Sequence, residues 1–183
     1  LDLAINLAIE IDADIVMGTD PDADRVGIAV KNLEGEFELL NGNQTGALLV
    51  YYLLIKWKEK NRLDGKQFIG KTIVTTALID SICESFEVDC YDTLTGFKFI
   101  ADLIRSKEGD QTFIGGGEES YGYLIGDFVR DKDAITSCAI LAEIAAWAKD
   151  EGTTIYGRLI EIYQQYGFYK ERLLSITKQG KSG

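Results

Sequence analysis

Asp20-Pro21-Asp22-Ala23-Asp24-Arg25 constrains this chain more than any other stretch: three carboxylates at alternate positions, the only proline in the sequence, and an arginine directly behind them. Apolar runs flank it, Ile15-Val16-Met17 before and Val26-Gly27-Ile28-Ala29-Val30 after, so the segment is expected to be a loop joining two strands. Pro21 fixes one φ of that turn. Three aspartates so spaced converge only if the backbone wraps tightly, and a hard divalent cation such as Mg²⁺ or Ca²⁺, which takes oxygen ligands, is their natural occupant. An EF-hand counted from Asp20 would need glycine at its sixth position and glutamate at its twelfth. Arg25 and Lys31 stand there, which excludes that motif. A solvated acidic turn is the plain alternative.

Composition removes several function classes. Thirty acidic against nineteen basic side chains give a formal charge of −11, and no basic cluster offsets it, so a duplex nucleic acid is not the expected partner. The longest apolar run, Ala47 to Ile55, is far short of the roughly 20 residues that cross a bilayer and reads as core helix. Histidine is absent, which removes the usual zinc ligand sets and every His-based triad. Cys83, Cys90 and Cys138 lie in apolar surroundings without a Cys-x-x-Cys spacing and are expected to be reduced core residues, with a cytoplasmic location following.

Leu3, Leu7, Ala8 and Ile11 fall on one helical stripe, so the chain is expected to open inside a helix. Phe37 to Leu40 should return as a hairpin partner, Asn41-Gly42-Asn43 to break the pattern, and Thr45 to Lys60 to form a long helix. From Gly70 onward strands (Lys71 to Thr75, Val88 to Tyr91, Thr112 to Ile114) alternate with helices (Ile79 to Phe86, Phe97 to Arg105), which predicts a layered α/β domain with a mainly parallel or mixed sheet. Asp133 can cap a helix reaching Lys149, whose nearly all-round apolar surface predicts central burial. Thr154 to Tyr166 is a further helix with Gly167 at its C-cap, and Phe168 to Ile176 an outgoing strand or linker.

Two more loops sit at strand-to-helix junctions, where open α/β sheets gather ligands. In Thr93-Leu94-Thr95-Gly96-Phe97-Lys98 the glycine permits close backbone approach, and a plain turn into a helix accounts for it equally well. Gly115-Gly116-Gly117-Glu118-Glu119-Ser120-Tyr121-Gly122 adds paired carboxylates and a hydroxyl, suited to vicinal sugar hydroxyls. Arg130-Asp131-Lys132-Asp133 places two cations before a capped helix and suits a phosphate or phosphosugar, or else a surface ion-pair cluster. A carboxylate on so glycine-rich a loop is expected to add little to stability.

Together these four stretches resemble the α-D-phosphohexomutase family, the phosphoglucomutases and phosphomannomutases, with Glu118 to Gly122 and Val129 to Asp133 most like its bacterial-type phosphoglucomutase branch. The resemblance implies that Asp20, Asp22 and Asp24 hold Mg²⁺, that Arg25 contacts a phosphate, and that Glu118 and Ser120 bind sugar hydroxyls. Thr95, Gly96, Lys98, Arg130 and Lys132 would line the rest of the substrate site, with Lys132 also a proton-transfer or charge-stabilising residue. It implies a hexose phosphate and a hexose bisphosphate as ligands. It also implies that residues 1–41 end the family's second domain, 42–170 form its third, and 171–183 lead toward its fourth. The family's phosphoserine loop and its fourth-domain phosphate loop have no counterpart here, so the chain is expected to be inactive alone and to work with those domains of a longer parent. A non-catalytic metal- and sugar-phosphate-binding module is the alternative. A phosphatase with an aspartyl nucleophile would need one of the three ligand aspartates for attack.

Overall fold

The computed structural model describes residues 1–171 and 174, and it holds two sheets. The first is antiparallel: β1 (Ile15–Thr19), β2 (Val26–Lys31) and β3 (Phe37–Leu40), preceded by α1 (Asp2–Glu10). The aspartate segment joins β1 to β2, as the flanking apolar runs predict. The second sheet runs in the order β5 (Asp89–Thr93), β4 (Gln67–Thr72), β6 (Thr112–Glu118), β7 (Gly122–Ile125). Its β4, β5 and β6 are parallel and β7 is antiparallel to β6, which makes it a mixed sheet.

Period-two alternation decides what covers each face. Phe68, Phe113 and Leu124 point to one side and pack with Phe97, Ile100 and Ile104 of α4 (Phe97–Ser106). Their neighbours Ile69, Ile114 and Tyr123 point to the other side, into the core built by α2 (Gly42–Glu59), α3 (Leu78–Ser85), α5 (Ala134–Asp150) and α6 (Ile155–Tyr166). The result is three layers, helix on sheet on helix. Val26, Ile28, Val30 and Leu40 of the first sheet enter that same core, so the two sheets remain separate ladders around shared apolar packing.

Several expectations need correction. Strand β4 begins four residues before the expected Lys71 and ends at Thr72, because Ile73 and Val74 are exposed in a turn closed by Thr75 N–H donating to the Thr72 carbonyl. Gly70, just outside the expected strand, lies inside β4, where a methyl group would stand 3.3 Å from Leu103. The expected Gly115–Gly122 loop is mostly strand: β6 continues through Glu118 and turns directly into β7, which periodicity did not disclose. A methyl on Gly116 would come within 1.8 Å of the Gly70 carbonyl oxygen, so these glycines serve strand-to-strand approach. Helix α2 starts earlier than Thr45, at Gly42, because Asn41 and Gln44 form a reciprocal capping box.

Helix α5 does begin at the Asp133 cap, whose carboxylate accepts the Ile135 and Thr136 amides. It is not buried all round, since Ile135 is 67% exposed and only Ala134, Ser137, Leu141, Ile144 and Ala148 are buried. Of the α1 stripe, only Ala8 is buried, while Leu3, Leu7 and Ile11 face outward. All three cysteines are free thiols. Among the described residues no helix is long and apolar enough to cross a membrane. The expected strand or linker at 168–176 shows no regular structure at Phe168 to Glu171 or at Leu174, and the rest of it, with most of 171–183, lies outside the described residues.

Candidate functional site

Backbone hydrogen bonds sew the aspartate loop to the β6–β7 turn and to the start of α5. Val26 N–H donates to the Tyr121 carbonyl (3.1 Å), Arg25 bridges Gly122, and Ala134 N–H donates to the Ala23 carbonyl (3.0 Å). Ala23 (φ 56°) and Tyr121 (φ 72°) both take the left-handed conformation, which the two tight turns require. Segments nearly a hundred residues apart in sequence are thereby fixed against one another.

Carboxylate oxygens of Asp20, Asp22 and Asp24 lie within 4.8 Å of one another. Asp20 Oδ1 accepts the Asp24 and Arg25 amides (3.1 and 3.0 Å), and its Oδ2 accepts Arg25 Nε at 2.7 Å. The Arg25 backbone N–H, and then its guanidinium, hold the Asp20 carboxyl well below the usual carboxylate range. Asp24 Oδ2 pairs with Lys132 Nζ at 2.6 Å. That contact raises the Lys132 pKa, so this lysine is a cation at neutral pH. Asp24 Oδ1 is buried without a hydrogen-bond partner, its closest cation being Arg25 Nε at 3.5 Å. An orphaned buried carboxylate oxygen among three clustered aspartates fits a hard, oxygen-seeking divalent cation.

Glu118 closes β6 with its side chain only 6% exposed, and its Oε1 accepts the Gly96 N–H at 2.8 Å. Gly96, at φ 117°, is the N-cap of α4, so the two candidate loops meet at this bond. The Lys132 stem lies over Gly122, where a methyl group would meet its Cδ at 2.3 Å, and Gly122 pairs with Glu118 across the ladder. Asp24, Lys132, Glu118 and Gly96 are thus linked by a run of direct contacts. Ser120 lines a cavity with Arg25, Asn41, Asn43, Glu119 and Tyr121. Thr95 and Lys98 are exposed beside Gly96, with Lys98 Nζ 5.0 Å from the Phe99 ring centroid.

Arg130 stands apart: its guanidinium pairs with Glu108 at 2.5 Å, just before the start of β6 and away from the end that carries Glu118. Sequence reasoning missed the roles of two further residues, Glu119 and Tyr121. Glu119 is not a spare acid, because its Oε2 accepts the Thr72 and Thr75 hydroxyls (both 3.1 Å) and its N–H donates to Thr75 Oγ1 (3.2 Å). Tyr121 lends its carbonyl to the Val26 N–H as well as lining the cavity beside Ser120. No residue-type signal could have exposed these, since the partners come from a turn on another strand.

The sequence profile of the phosphoglucomutase/phosphomannomutase α/β/α domain III matches residues 41–166. A phosphoglucomutase of Staphylococcus epidermidis is 42% identical over 182 residues, covering 100% of this chain and 33% of that protein. The chain therefore spans about a third of the length of the curated relatives it matches. Among solved structures, parafusin, a phosphoglucomutase of Paramecium in its open form, aligns with TM-score 0.67 at 24% identity, over 85% of this chain and 25% of that one. An N-acetylphosphoglucosamine mutase of Aspergillus fumigatus, solved with GlcNAc-6P and magnesium, aligns with TM-score 0.60 at 15% identity, over 84% of this chain and 35% of that one. These last two likenesses concern the fold alone.

Proposed function

The chain belongs to the phosphoglucomutase/phosphomannomutase family, and on that premise we propose that it is the metal-loop and sugar-recognition segment of a hexose-phosphate mutase. In this reading residues 1–41 end the second domain, 42–170 are the third, and 171–183 lead toward the fourth. The phosphoserine and the remaining phosphate loop come from parts of the parent outside this sequence. The reaction moves a phosphoryl group between O1 and O6 of a hexose through a bisphosphorylated sugar. The observation that carries the proposal is the joining of the aspartate loop to the Glu118–Gly122 turn, through the Val26 to Tyr121 bond and the Asp24–Lys132 pair.

Asp20, Asp22 and Asp24 would hold Mg²⁺, the metal present in the Aspergillus relative's structure. When bound it would neutralise charge on the transferring group. Arg25, whose side chain is 54% exposed, can reach a phosphate oxygen while keeping Asp20 in place. Glu118 binds sugar hydroxyls through Oε2 while Oε1 stays on the Gly96 amide, and Ser120 adds a hydroxyl from the adjoining cavity. Thr95 and Lys98 flank them. Lys132, held as a cation, stabilises developing negative charge and can give a proton to a leaving oxygen, but it is a poor base. Arg130 joins only after leaving Glu108. Since phosphoryl transfer depends mainly on alignment and electrostatics, a pre-bonded surface of this kind is what the reaction requires. Three free cysteines suit a cytoplasmic enzyme.

The test is turnover of a hexose 1-phosphate by the full-length parent, primed with hexose bisphosphate, against release of inorganic phosphate. Mutase turnover that collapses in Asp22→Asn is expected. Phosphate release at the mutase rate, or turnover indifferent to Asp22→Asn, would overturn the reading. By itself the present chain should bind ligands without turning them over.

A further inference from the structure

We infer that Glu119 is a positioning residue, a strut that fixes the carboxylate of Glu118 by anchoring the next residue of the chain to a different strand. It rests on Glu118 being the sugar ligand, as proposed above. Consecutive residues at a strand end project to opposite sides. Glu118 therefore turns toward Gly96 while Glu119 turns toward the Thr72–Thr75 turn that follows β4. Three separate contacts hold Glu119. Its N–H donates to Thr75 Oγ1, its Oε2 accepts from the two threonine hydroxyls, and its carbonyl abuts α2 so closely that a methyl on Gly42 would lie 1.8 Å away.

The proton count makes this cluster directional. Thr72 Oγ1 and Thr75 Oγ1 are 2.8 Å apart and each is 3.1 Å from Glu119 Oε2, giving three short oxygen contacts. The two hydroxyls own one proton apiece. At most two of the three contacts therefore carry a proton at once, and the carboxylate, which has none, is the acceptor on which the hydroxyl protons end, either directly from both threonines or relayed from one through the other. The turn carrying Thr72 and Thr75 is itself pinned, with Thr76 N–H donating to Asn43 Oδ1 at the start of α2 (3.0 Å). Glu119 thus ties β6 to β4 and to α2 at the point where Glu118 must hold its direction. Alanine here leaves the threonine hydroxyls with each other and frees the Glu118–Ser120 turn. Glutamine, with its own carbonyl oxygen, keeps the acceptor.

The readout is the Gly96 amide, which reports the Glu118 carboxylate without any assay of activity. In the present chain, Glu119→Ala should shift that amide resonance and speed its hydrogen exchange by about tenfold or more, leaving core amides such as Ile69 and Leu54 protected. Glu119→Gln should restore it. Thr75→Val, which removes a donor and an acceptor from the same cluster, should reproduce the alanine effect and serves if Glu119→Ala does not fold. In the full-length parent, Glu119→Ala should lower kcat about tenfold with little change in KM, because misdirected hydroxyls harm alignment more than binding. An unchanged Gly96 amide in a folded Glu119→Ala or Thr75→Val chain would overturn the strut, as would failure of glutamine to rescue. If instead Glu118→Ala left turnover intact, the sugar-ligand reading would fail, whatever Gly96 did.

Discussion

Replacing Glu118 with alanine tests the site at its most buried polar group. Its side chain is 6% exposed and its Oε1 takes the Gly96 N–H at 2.8 Å. Hydrogen bonds to a charged group contribute about 1.5–3 kcal/mol, and Gly96 is only half buried, so water can partly replace the lost acceptor and the lower half of that range applies. Loss of the buried methylenes adds roughly 1 kcal/mol. The total, about 2.5–3 kcal/mol, corresponds to a fall in Tm of roughly 5–10 °C for a chain of this length. The burial of Glu118 thus predicts a stability cost where a carboxylate on a glycine-rich loop was expected to have little. Glu118→Gln keeps an acceptor for Gly96 and should lose under about 1 kcal/mol. In the full-length parent both variants should lower kcat/KM, alanine by roughly tenfold to a hundredfold. Urea denaturation of the present chain, followed by tryptophan fluorescence, supplies the stability arm. A Glu118→Ala change within about 0.5 kcal/mol of the unsubstituted chain would show that the Gly96 bond does not bear on stability. Glutamine as harmful as alanine would show that charge, not acceptor position, is what counts.

Gly116→Ala should destabilise by at least about 2 kcal/mol, because its methyl would lie 1.8 Å from the Gly70 carbonyl and the two parallel strands cannot part without losing ladder bonds; a shift in urea midpoint measures it. Lys71, 2% exposed, loses hydration on burial, but its bonds to Asp92 (2.5 Å) and Asp80 (3.1 Å) outweigh that and its pKa is raised. A lysine whose folded pKa is raised stabilises fully below its unfolded value, about 10.4, and loses that contribution as pH climbs through the folded value. The urea midpoint should therefore drop above about pH 10, and Lys71→Met should remove that component. Mg²⁺ should bind the present chain only weakly, since Mg²⁺ ordinarily relies on one or two carboxylates plus a phosphate; sub-micromolar affinity by calorimetry would contradict the assignment of phosphoserine as a missing ligand. Chelation by EDTA should accordingly leave the urea midpoint where it is.

What the sequence disclosed followed from local rules. The strand, loop, strand order around Asp20 to Arg25 was readable because apolar runs and turn residues alternate cleanly there, and Asp133 was readable as a cap because its acceptor lies two and three residues before the amides it serves. Asn41 obeys the same rule with Gln44, yet the polar trio around it read as a break, which cost the first turn of α2. Long-range terms hid the rest. Gly115, Gly116 and Gly117 have turn-like identities, but they lie in a strand whose neighbours leave no room for Cβ, a fact held by Gly70, Leu53 and Tyr123 and not by the glycines themselves. The helical stripe on α1 is real in spacing, yet most of it meets no partner among the described residues, so periodicity alone misjudged its burial.

The aspartate motif also conceals its own counter-charges. Three carboxylates within 4.8 Å repel one another by about 0.9 kcal/mol per pair even at the dielectric constant of water, and by several times that where solvent is excluded. Left alone, such a loop would splay. Arg25 answers Asp20 at 2.7 Å and Lys132 answers Asp24 at 2.6 Å, so two of the three charges are paired before any ion arrives. The first cation is adjacent in sequence and visible in the motif; the second is more than a hundred residues away, and only the bonding of Ala134 to Ala23 brings it there. A loop balanced in this way should need no metal to fold, as a urea midpoint unchanged by EDTA would show. The residual negative charge and the unpartnered Asp24 Oδ1 would still attract a divalent cation, but with less force than three free aspartates would. On the proposed function, tight binding would then require a ligand that carries its own charge to the site, a phosphoryl group, which would link metal recruitment to the presence of the group to be transferred.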